Sequence, residues 1–354
     1  STKEEDSPQS IVTCFSKDRL LIFTNMGRVY GLRAWETPIG SRHSRGTHIK
    51  NLLGSLQEGE DIVTILPLSK SLVDEVREKC IDIDVEEGKK RPPSGYFLLF
   101  ATKLGLIKKT DLSQYVKINR NGKYALRFKL PDDELVNVRL STDDDSVVMI
   151  SSTGYASRFS CSDIRASGRV SGGIYGIKVG ARKGSGGGKV VGMISIANAD
   201  TQILTISKYG MAKRSRIGTG GRTPDIDSEG NPKYDEEGNV KQITDGYRST
   251  RPGAKGVRTM KLDETHDDEI ISVRMIPDMN DNLFLLTKKG MMIRLMVSQT
   301  KETSGKSTRG TRVMELRNKD KSGFTDELIF SSRLPAELMN IEQDTTGPES
   351  HEEE

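Results

Sequence analysis

The 354-residue chain is poor in aromatic residues, cysteine and long apolar runs. Aromatic side chains make up only 5% of it, too few for a platform of stacked rings that binds single-stranded nucleic acid. Three scattered cysteines, Cys14, Cys80 and Cys161, form neither a disulfide framework nor a Cys-x-x-Cys metal pair, and they fit a reducing compartment. No apolar segment approaches the roughly 18 residues of a membrane-spanning helix. We therefore expect a soluble protein without a membrane partner.

Groups that bind metals or perform catalysis are equally dispersed. The four histidines do not cluster, and the acidic pairs have no matching partner motif. The glycine-rich segment 182–190 differs from a phosphate-binding loop, because Lys183 replaces its first glycine and Val190 its Ser or Thr. We interpret it as a hairpin turn. The sequence shows no recognisable combination of a nucleophile, a base and an orienting group. We therefore predict no catalytic residue, no metal and no cofactor.

Charge is unevenly distributed along the chain. The net charge of +4 combines an acidic start over 1–10 (−2), an acidic end over 335–354 (−7) and a basic body over 11–334 (+13). Two acidic insertions, 69–94 and 218–246, lower the charge of that body by a further 5, so the remainder carries +18. A body this basic indicates a polyanionic partner, with nucleic acid ahead of a membrane surface.

One pattern occurs five times: a short apolar strand, a turn containing glycine, and a second strand that carries a basic residue. The five copies are 21–33, 98–109, 148–158, 204–214 and 285–294, with turn glycines Gly27, Gly105, Gly154, Gly210 and Gly290. Segments this short, each broken by glycine, favour β-hairpins over helices.

Two further signatures follow each hairpin. The first is a basic, glycine-rich loop that leads into a strand, and the second is a turn, usually acidic, that leads into an apolar strand. The loops are 41–49, 120–128, 168–177, 251–260 and 306–314. Four strands in about fifty residues are typical of a propeller-like blade. The insertion at 69–94 has the composition of a short helix, and the insertion at 218–246 that of an excursion loop.

Basic residues recur at the same places in each unit. If the units are arranged radially, these residues form one positive belt along a rim, which suits a curved polyanion. We predict that the belt binds DNA through Arg33, Arg42, Arg45, Lys108, Lys109, Arg120, Lys123, Arg158, Arg169, Lys213, Arg214, Arg251, Lys255, Arg258, Arg294, Arg309 and Arg312. Glycines beside them are expected to let backbone N–H groups approach phosphates. Sequence readout is not expected, because no helix-turn-helix or zinc finger is present.

Three alternatives remain open at this point. Lysine and arginine could simply keep edge strands soluble. The chain could also be a propeller that binds another protein, which predicts no charge bias around the rim. An enzyme with a site at the propeller centre would need converging polar residues that the sequence does not show.

At these residues the chain resembles the C-terminal domain of the gyrase A protein, a component of the bacterial type IIA topoisomerase DNA gyrase. The similar stretches include GRVYGLRAWETPIGSRHSRGTHIKNLL (27–53), TKLGLIKKTDL, SVVMISSTGYASRF, TISKYGMAKR and LTKKGMMIR, in the family's order. The resemblance implies an all-β pinwheel of four-stranded antiparallel blades that binds and bends or wraps duplex DNA around its basic perimeter and presents it for strand passage. It also implies a non-catalytic domain, because the cleaving tyrosine of the family lies elsewhere.

The resemblance further implies a cytoplasmic, nucleoid-associated protein whose partners are the rest of gyrase A and the gyrase B ATPase. The five repeats match the family's second to sixth repeats, and the Gln-Arg-Arg-Gly-Gly-Lys-Gly box of its first repeat is missing. Because the chain starts with serine, we expect it to be a piece of a longer polypeptide. We predict a flexible segment at 1–10, a pinwheel over 11–334 and a disordered acidic tail at 335–354 that competes with DNA for the belt.

Overall fold

The computed structural model describes residues 12–40, 46–83, 91–180, 187–227, 229–303, 308–318 and 323–334. The predicted terminal segments 1–10 and 335–354, and most of the glycine-rich segment 182–190, lie outside these ranges. In the described part, four 3-10 turns of three residues each accompany two α-helices, α1 (Ile49–Leu52) and α2 (Lys70–Cys80). Neither is long enough to cross a lipid bilayer.

Strands make up the rest of the regular structure. In chain order they are β1 (Arg19–Thr24), β2 (Arg28–Arg33), β3 (Ile62–Leu68), β4 (Phe97–Thr102), β5 (Leu106–Asp111), β6 (Lys123–Tyr124), β7 (Leu135–Ser141), β8 (Ser146–Ser151), β9 (Tyr155–Ser160), β10 (Ile174–Tyr175), β11 (Val190–Ile196), β12 (Gln202–Ser207), β13 (Met211–Arg216), β14 (Arg222–Pro224), β15 (Gln242–Thr244), β16 (Val257–Arg258), β17 (Ile270–Ile276), β18 (Asn282–Thr287), β19 (Met292–Met296), β20 (Thr311–Arg312) and β21 (Leu328–Leu334). The all-β prediction is confirmed.

The five predicted hairpins are present as β1–β2, β4–β5, β8–β9, β12–β13 and β18–β19, all antiparallel. Each turn contains the predicted glycine, with φ between +70° and +96°. A side chain strains the backbone in this region, so the turn selects glycine. The hairpin prediction is confirmed in all five copies.

A closing strand pairs with the first strand of every hairpin. These strands, β3, β7, β11, β17 and β21, contact one another in that order, so that the five sheets follow one another around a ring. The core lies in layers between neighbouring sheets. Between the first two sheets, for example, the rings of Phe23 and Phe100 meet edge to face with centroids 5.6 Å apart. Burying apolar side chains between sheets therefore holds the ring together.

The outermost strand of each sheet comes from the next repeat along the chain. The sheet orders are β3-β1-β2-β6, β7-β4-β5-β10, β11-β8-β9-β16 and β17-β12-β13-β20, which we call blades one to four. Blade five, β21-β18-β19, has three strands among the described residues. The four-stranded blade is thus confirmed, but a blade is not one continuous sequence unit. The basic loop and its strand belong to the preceding hairpin.

The two insertions leave the blades intact. Helix α2 confirms the helix predicted in 69–94: the Ser69 hydroxyl caps it by accepting a hydrogen bond from the Leu72 N–H at 3.2 Å, and Val76 and Cys80 are buried against the sheets. In 218–246, β14 and β15 form a separate two-stranded sheet, beyond which two further tight turns extend. Neither segment interrupts the pairing of the blade strands.

Candidate nucleic-acid interface

The outer edge of blades one to four is built by the exchanged strands β6, β10, β16 and β20. Each is only two residues long and is held by backbone hydrogen bonds to the preceding hairpin. The turn glycine of that hairpin takes part as well. The carbonyl group of Gly105, for example, accepts a hydrogen bond from the N–H of Gly176 at 2.9 Å. The basic loop before each strand is thereby placed on the perimeter of its blade.

Several predicted cations are exposed on this edge or beside it. On the exchanged segments they are Arg120, Lys123, Arg251, Lys255, Arg309 and Arg312, and on the hairpin strands Arg33 and Arg294. Arg120 pairs with Glu36 at 3.1 Å, and Arg312 pairs with Glu315. Within the described ranges no carboxylate pairs with Lys123, Arg251 or Arg309. These side chains are free to bind an external anion.

Two basic residues of blade three surround an aromatic ring. The ammonium group of Lys255 lies 4.9 Å from the ring centre of Tyr155, and the guanidinium group of half-buried Arg258 lies 5.9 Å from it. A hydrogen bond from Arg258 lowers the pKa of Tyr155. The tyrosine therefore fixes both cations at the outer edge.

The predicted site residues Lys108, Lys109 and Lys213 do not lie on the surface. Each is at most 3% exposed. The Lys108 ammonium group donates to the carbonyl oxygens of Ala125 (2.5 Å) and Arg169, and that of Lys213 to the carbonyl oxygen of Thr259 at 2.6 Å. Lys109 bonds to the Cys161 carbonyl oxygen and to Asp143. Because an external phosphate cannot reach these groups, their observed role is to bind carbonyl groups of neighbouring segments.

Three predicted arginines are half-buried and already hydrogen-bonded to backbone. Arg158 donates to the carbonyl oxygens of Gly218 (2.7 Å) and Tyr247 (3.0 Å). Arg214 donates to the carbonyl oxygen of Thr300 at 3.0 Å, and Arg169 to that of Gln114 at 3.4 Å. These side chains tie the following repeat to the hairpin. Arg42 and Arg45 lie outside the described residues.

The glycines of the exchanged segments have a different role from the one expected. A methyl group at Gly173 would lie 2.4 Å from the carbonyl oxygen of Ile107, and one at Gly256 would lie 2.2 Å from that of Ala156. Such distances are not tolerated between non-bonded atoms. Close packing on the preceding hairpin therefore explains these glycines without a bound phosphate.

Comparison with known families agrees with this architecture. A family model described as "DNA gyrase C-terminal domain, beta-propeller" matches residues 18–69, 96–142, 145–197, 244–277 and 281–321, more than half of the chain. The chain belongs to the DNA gyrase C-terminal domain family. The prediction of an accessory domain related to gyrase A is thereby confirmed.

Individual members of the gyrase family are similar over most of the chain. The gyrase A protein of Staphylococcus epidermidis is 31% identical over 317 residues, which are 89% of this chain and 29% of that protein. The gyrase A protein of Staphylococcus aureus is 29% identical over the same shares. The chain thus spans about 29% of the length of these relatives.

Two solved structures share the fold. The C-terminal domain of DNA topoisomerase IV has a TM-score of 0.64 and 20% identity, and the match covers 93% of this chain and 85% of that one. The DNA gyrase A C-terminal domain has a TM-score of 0.60 and 20% identity, with 91% and 84% covered. The predicted β-pinwheel is confirmed by this likeness.

The gyrase family match helps to identify what is particular to this chain. It leaves out 70–95, which contains helix α2, and 198–243, which contains the hairpin β12–β13 as well as β14 and most of β15. Sequence reasoning also missed the cations Arg127 and Lys178, which are exposed beside the exchanged strands. The available signal was their position, because Arg127 lies inside the glycine-rich segment 120–128 and Lys178 directly follows the segment 168–177. In the described ranges no three His, Cys, Asp or Glu side chains are close enough to hold a metal ion.

The buried lysines predict a pH dependence of stability. Burial lowers the pKa of Lys108 to about 7 and that of Lys213 to about 8, whereas an unfolded lysine titrates near 10.4. Between these values the unfolded chain binds more protons, so the free energy of unfolding should rise with pH. We expect it to be higher at pH 9 than at pH 7 in urea unfolding. The rise should be smaller in Lys108→Met, and an identical rise in the variant would contradict this.

Proposed function

We propose that this chain binds duplex DNA along the outer edge of its ring, without sequence specificity, and bends it. As the C-terminal domain of a gyrase A-like type IIA topoisomerase, it presents the bound DNA for strand passage. Its partners are then the other domains of gyrase A and the gyrase B ATPase, in the bacterial cytoplasm at the nucleoid. The observation that carries the proposal is the set of exposed cations on the exchanged segments of blades one, three and four, with Lys178 exposed beside that of blade two.

Exposed cations on that edge support phosphate contact. Six of them, Arg120, Lys123, Arg251, Lys255, Arg309 and Arg312, lie on segments that the fold places at equivalent positions. The proposed interface leaves out three buried lysines, Lys108, Lys109 and Lys213. It also leaves out three arginines that already bind backbone carbonyl groups, Arg158, Arg169 and Arg214. Arg33, Arg258 and Arg294 remain as flanking contacts, and Arg42 and Arg45 as proposals from the sequence alone.

A row of phosphate contacts on a curved edge favours a bent duplex. Bending about 20 to 30 base pairs by 40 to 90° costs on the order of 1 to 6 kcal/mol. Hydrogen bonds to a charged group contribute roughly 1.5 to 3 kcal/mol each, so a few of them offset that cost. The outer strands are only two residues long, so they do not present an element that fills the major groove and reads bases.

Binding of linear duplexes of increasing length, measured over a range of salt concentrations, tests the proposal. Affinity should rise with length until the duplex spans the edge. If all six exposed cations contact phosphates, log affinity against log salt should have a slope of about −5. A slope shallower than about −1, or equal affinity for short and long duplexes, would contradict a binding edge. That result would favour the alternative of a propeller that binds another protein.

A further inference from the structure

Blade one contains a cavity that is lined by three arginines. It has a volume of about 340 Å³, and Arg19, Arg33 and Arg120 contribute to its wall together with Glu36 and the segment around Ile118. Arg19 begins β1 and Arg33 ends β2, and the two are direct partners in the hairpin register. Like charges placed directly opposite each other in a sheet are destabilising. The pair therefore needs a compensating group.

The corresponding positions of the other hairpins carry no such pair. They hold Phe97 and Asp111 in blade two, Ser146 and Ser160 in blade three, Gln202 and Arg216 in blade four, and Asn282 and Met296 in blade five. Arg216 is moreover neutralised by Asp200 at 2.5 Å. The doubly cationic pair is thus particular to blade one.

Compensation inside the protein is incomplete. Glu36 is the one carboxylate of the cavity wall, and it already accepts a hydrogen bond from the backbone N–H of Arg33 (2.7 Å) and forms an ion pair with Arg120 (3.1 Å). Arg19 donates to the carbonyl oxygen of Ile118, but its buried Nε has no hydrogen-bond acceptor in the described structure. No carboxylate of the described residues pairs with Arg19 or Arg33. The cavity therefore carries an excess of positive charge.

Helix α2 adds to this excess. Burial lowers the pKa of Arg19, and so do the nearby guanidinium groups of Arg33 and of Arg77 on α2. Glu36 acts in the opposite direction, but its effect is smaller than that of either arginine. The buried Nε of Arg77 also lacks an acceptor within the described ranges. An insertion that is outside the family match thus brings a further cation towards the cavity. An anion bound there would relieve the repulsion.

We propose that this cavity binds a phosphate group through Arg19, Arg33 and Arg120. A guanidinium group matches the geometry of a phosphate with two parallel hydrogen bonds, which a lysine cannot provide. The inference rests on the proposed function in one respect: the phosphate is taken to belong to the backbone of bound duplex DNA. Blade one is then an anchor point for the duplex, beside the exchanged strand β6.

The test compares Arg33→Ala with Arg216→Ala in the whole chain. Both arginines end the second strand of their hairpin and are exposed, but only Arg216 already has a carboxylate partner. Duplex affinity should fall roughly 10- to 100-fold in Arg33→Ala, and the salt slope should become shallower by about 0.9. Arg216→Ala should change affinity less than about twofold. Arg33→Lys should keep the slope and lose part of the affinity.

A second arm uses inorganic phosphate at constant ionic strength, followed by phosphorus NMR line width. If the wild-type chain broadens the phosphate signal and Arg33→Ala does not, the cavity binds phosphate. If duplex DNA does not bind in that case, the proposed function fails and the ligand of the cavity is free phosphate. If the wild-type chain binds duplex DNA but Arg33→Ala behaves like Arg216→Ala in both assays, the cavity proposal is overturned and the binding edge stands. Failure of both ligands to bind overturns both proposals.

Discussion

Replacing Gly105 with alanine should lower the free energy of unfolding by about 2 to 6 kcal/mol. Its φ of +96° strains any side chain by roughly 1 to 3 kcal/mol. The new methyl group would also lie 2.2 Å from the carbonyl oxygen of Ile177, on the exchanged segment that covers the hairpin. Relieving that overlap requires the segment to move, which costs typically a further 1 to 3 kcal/mol. Urea unfolding of the purified chain measures the sum.

Gly290→Ala is the matched control for this prediction. Gly290 occupies the same turn position in blade five, with φ of +84°, but none of the described residues lies within 4 Å of an added methyl group. Its replacement should therefore cost only the backbone strain, about 1 to 3 kcal/mol. Equal losses in the two variants would show that the exchanged segment does not press on the hairpin.

A fourfold substitution of exposed, unpaired cations should abolish most DNA binding. The variant changes Lys123, Arg251, Lys255 and Arg309 to alanine. If each contacts one phosphate, the salt slope should become shallower by about 3 to 4. Affinity at low salt should fall at least about 100-fold, since charge-assisted hydrogen bonds contribute roughly 1.5 to 3 kcal/mol each. Fluorescence anisotropy with a labelled duplex measures both quantities.

The control removes the same number of charges from paired lysines. Each of these lysines forms an ion pair with a glutamate at 2.9 to 3.5 Å. The pairs are Lys103–Glu134, Lys189–Glu269, Lys208–Glu327 and Lys288–Glu327. Replacement of these lysines by alanine should leave the affinity within a few fold of the wild-type value. If both variants lose affinity equally, net charge and not the outer edge determines binding. That result would remove the physical basis of the proposed interface.

Local patterns in the sequence were sufficient to predict the hairpins. Each turn glycine stands between two short apolar strands, and both the glycine conformation and the strand pairing depend mainly on near neighbours. Helix α2 could be predicted for the same reason, because Leu72, Val73, Val76 and Cys80 recur on one face. The family resemblance then supplied the ring.

The exchange of strands could not be read from the sequence. Strands such as β6 and β16 are two residues long and have no periodicity, so their sequence position suggests that they complete their own unit. Burial of Lys108 and Lys213 depends on the same exchange, because their acceptors, the carbonyl groups of Ala125 and Thr259, lie on segments of the same repeat that cover the hairpin of the preceding blade. A lysine beside apolar residues looks like a surface residue until its distant acceptors are known. Only the three-dimensional structure shows which cations of the predicted belt are exposed and which are buried against backbone carbonyl groups.

Donation of strands from one repeat to the one before it also affects how the protein is made. The hairpin of blade one ends at Arg33, and the strand that covers it begins at Lys123, 90 residues later. At about 5 to 20 residues per second, a ribosome needs roughly 5 to 20 s to synthesise that interval. During synthesis, the second strand of each of the first four hairpins therefore stays unpaired on its outer side until the exchanged strand of the next repeat has been made. The exchanged strands become available in order from the amino-terminal blade.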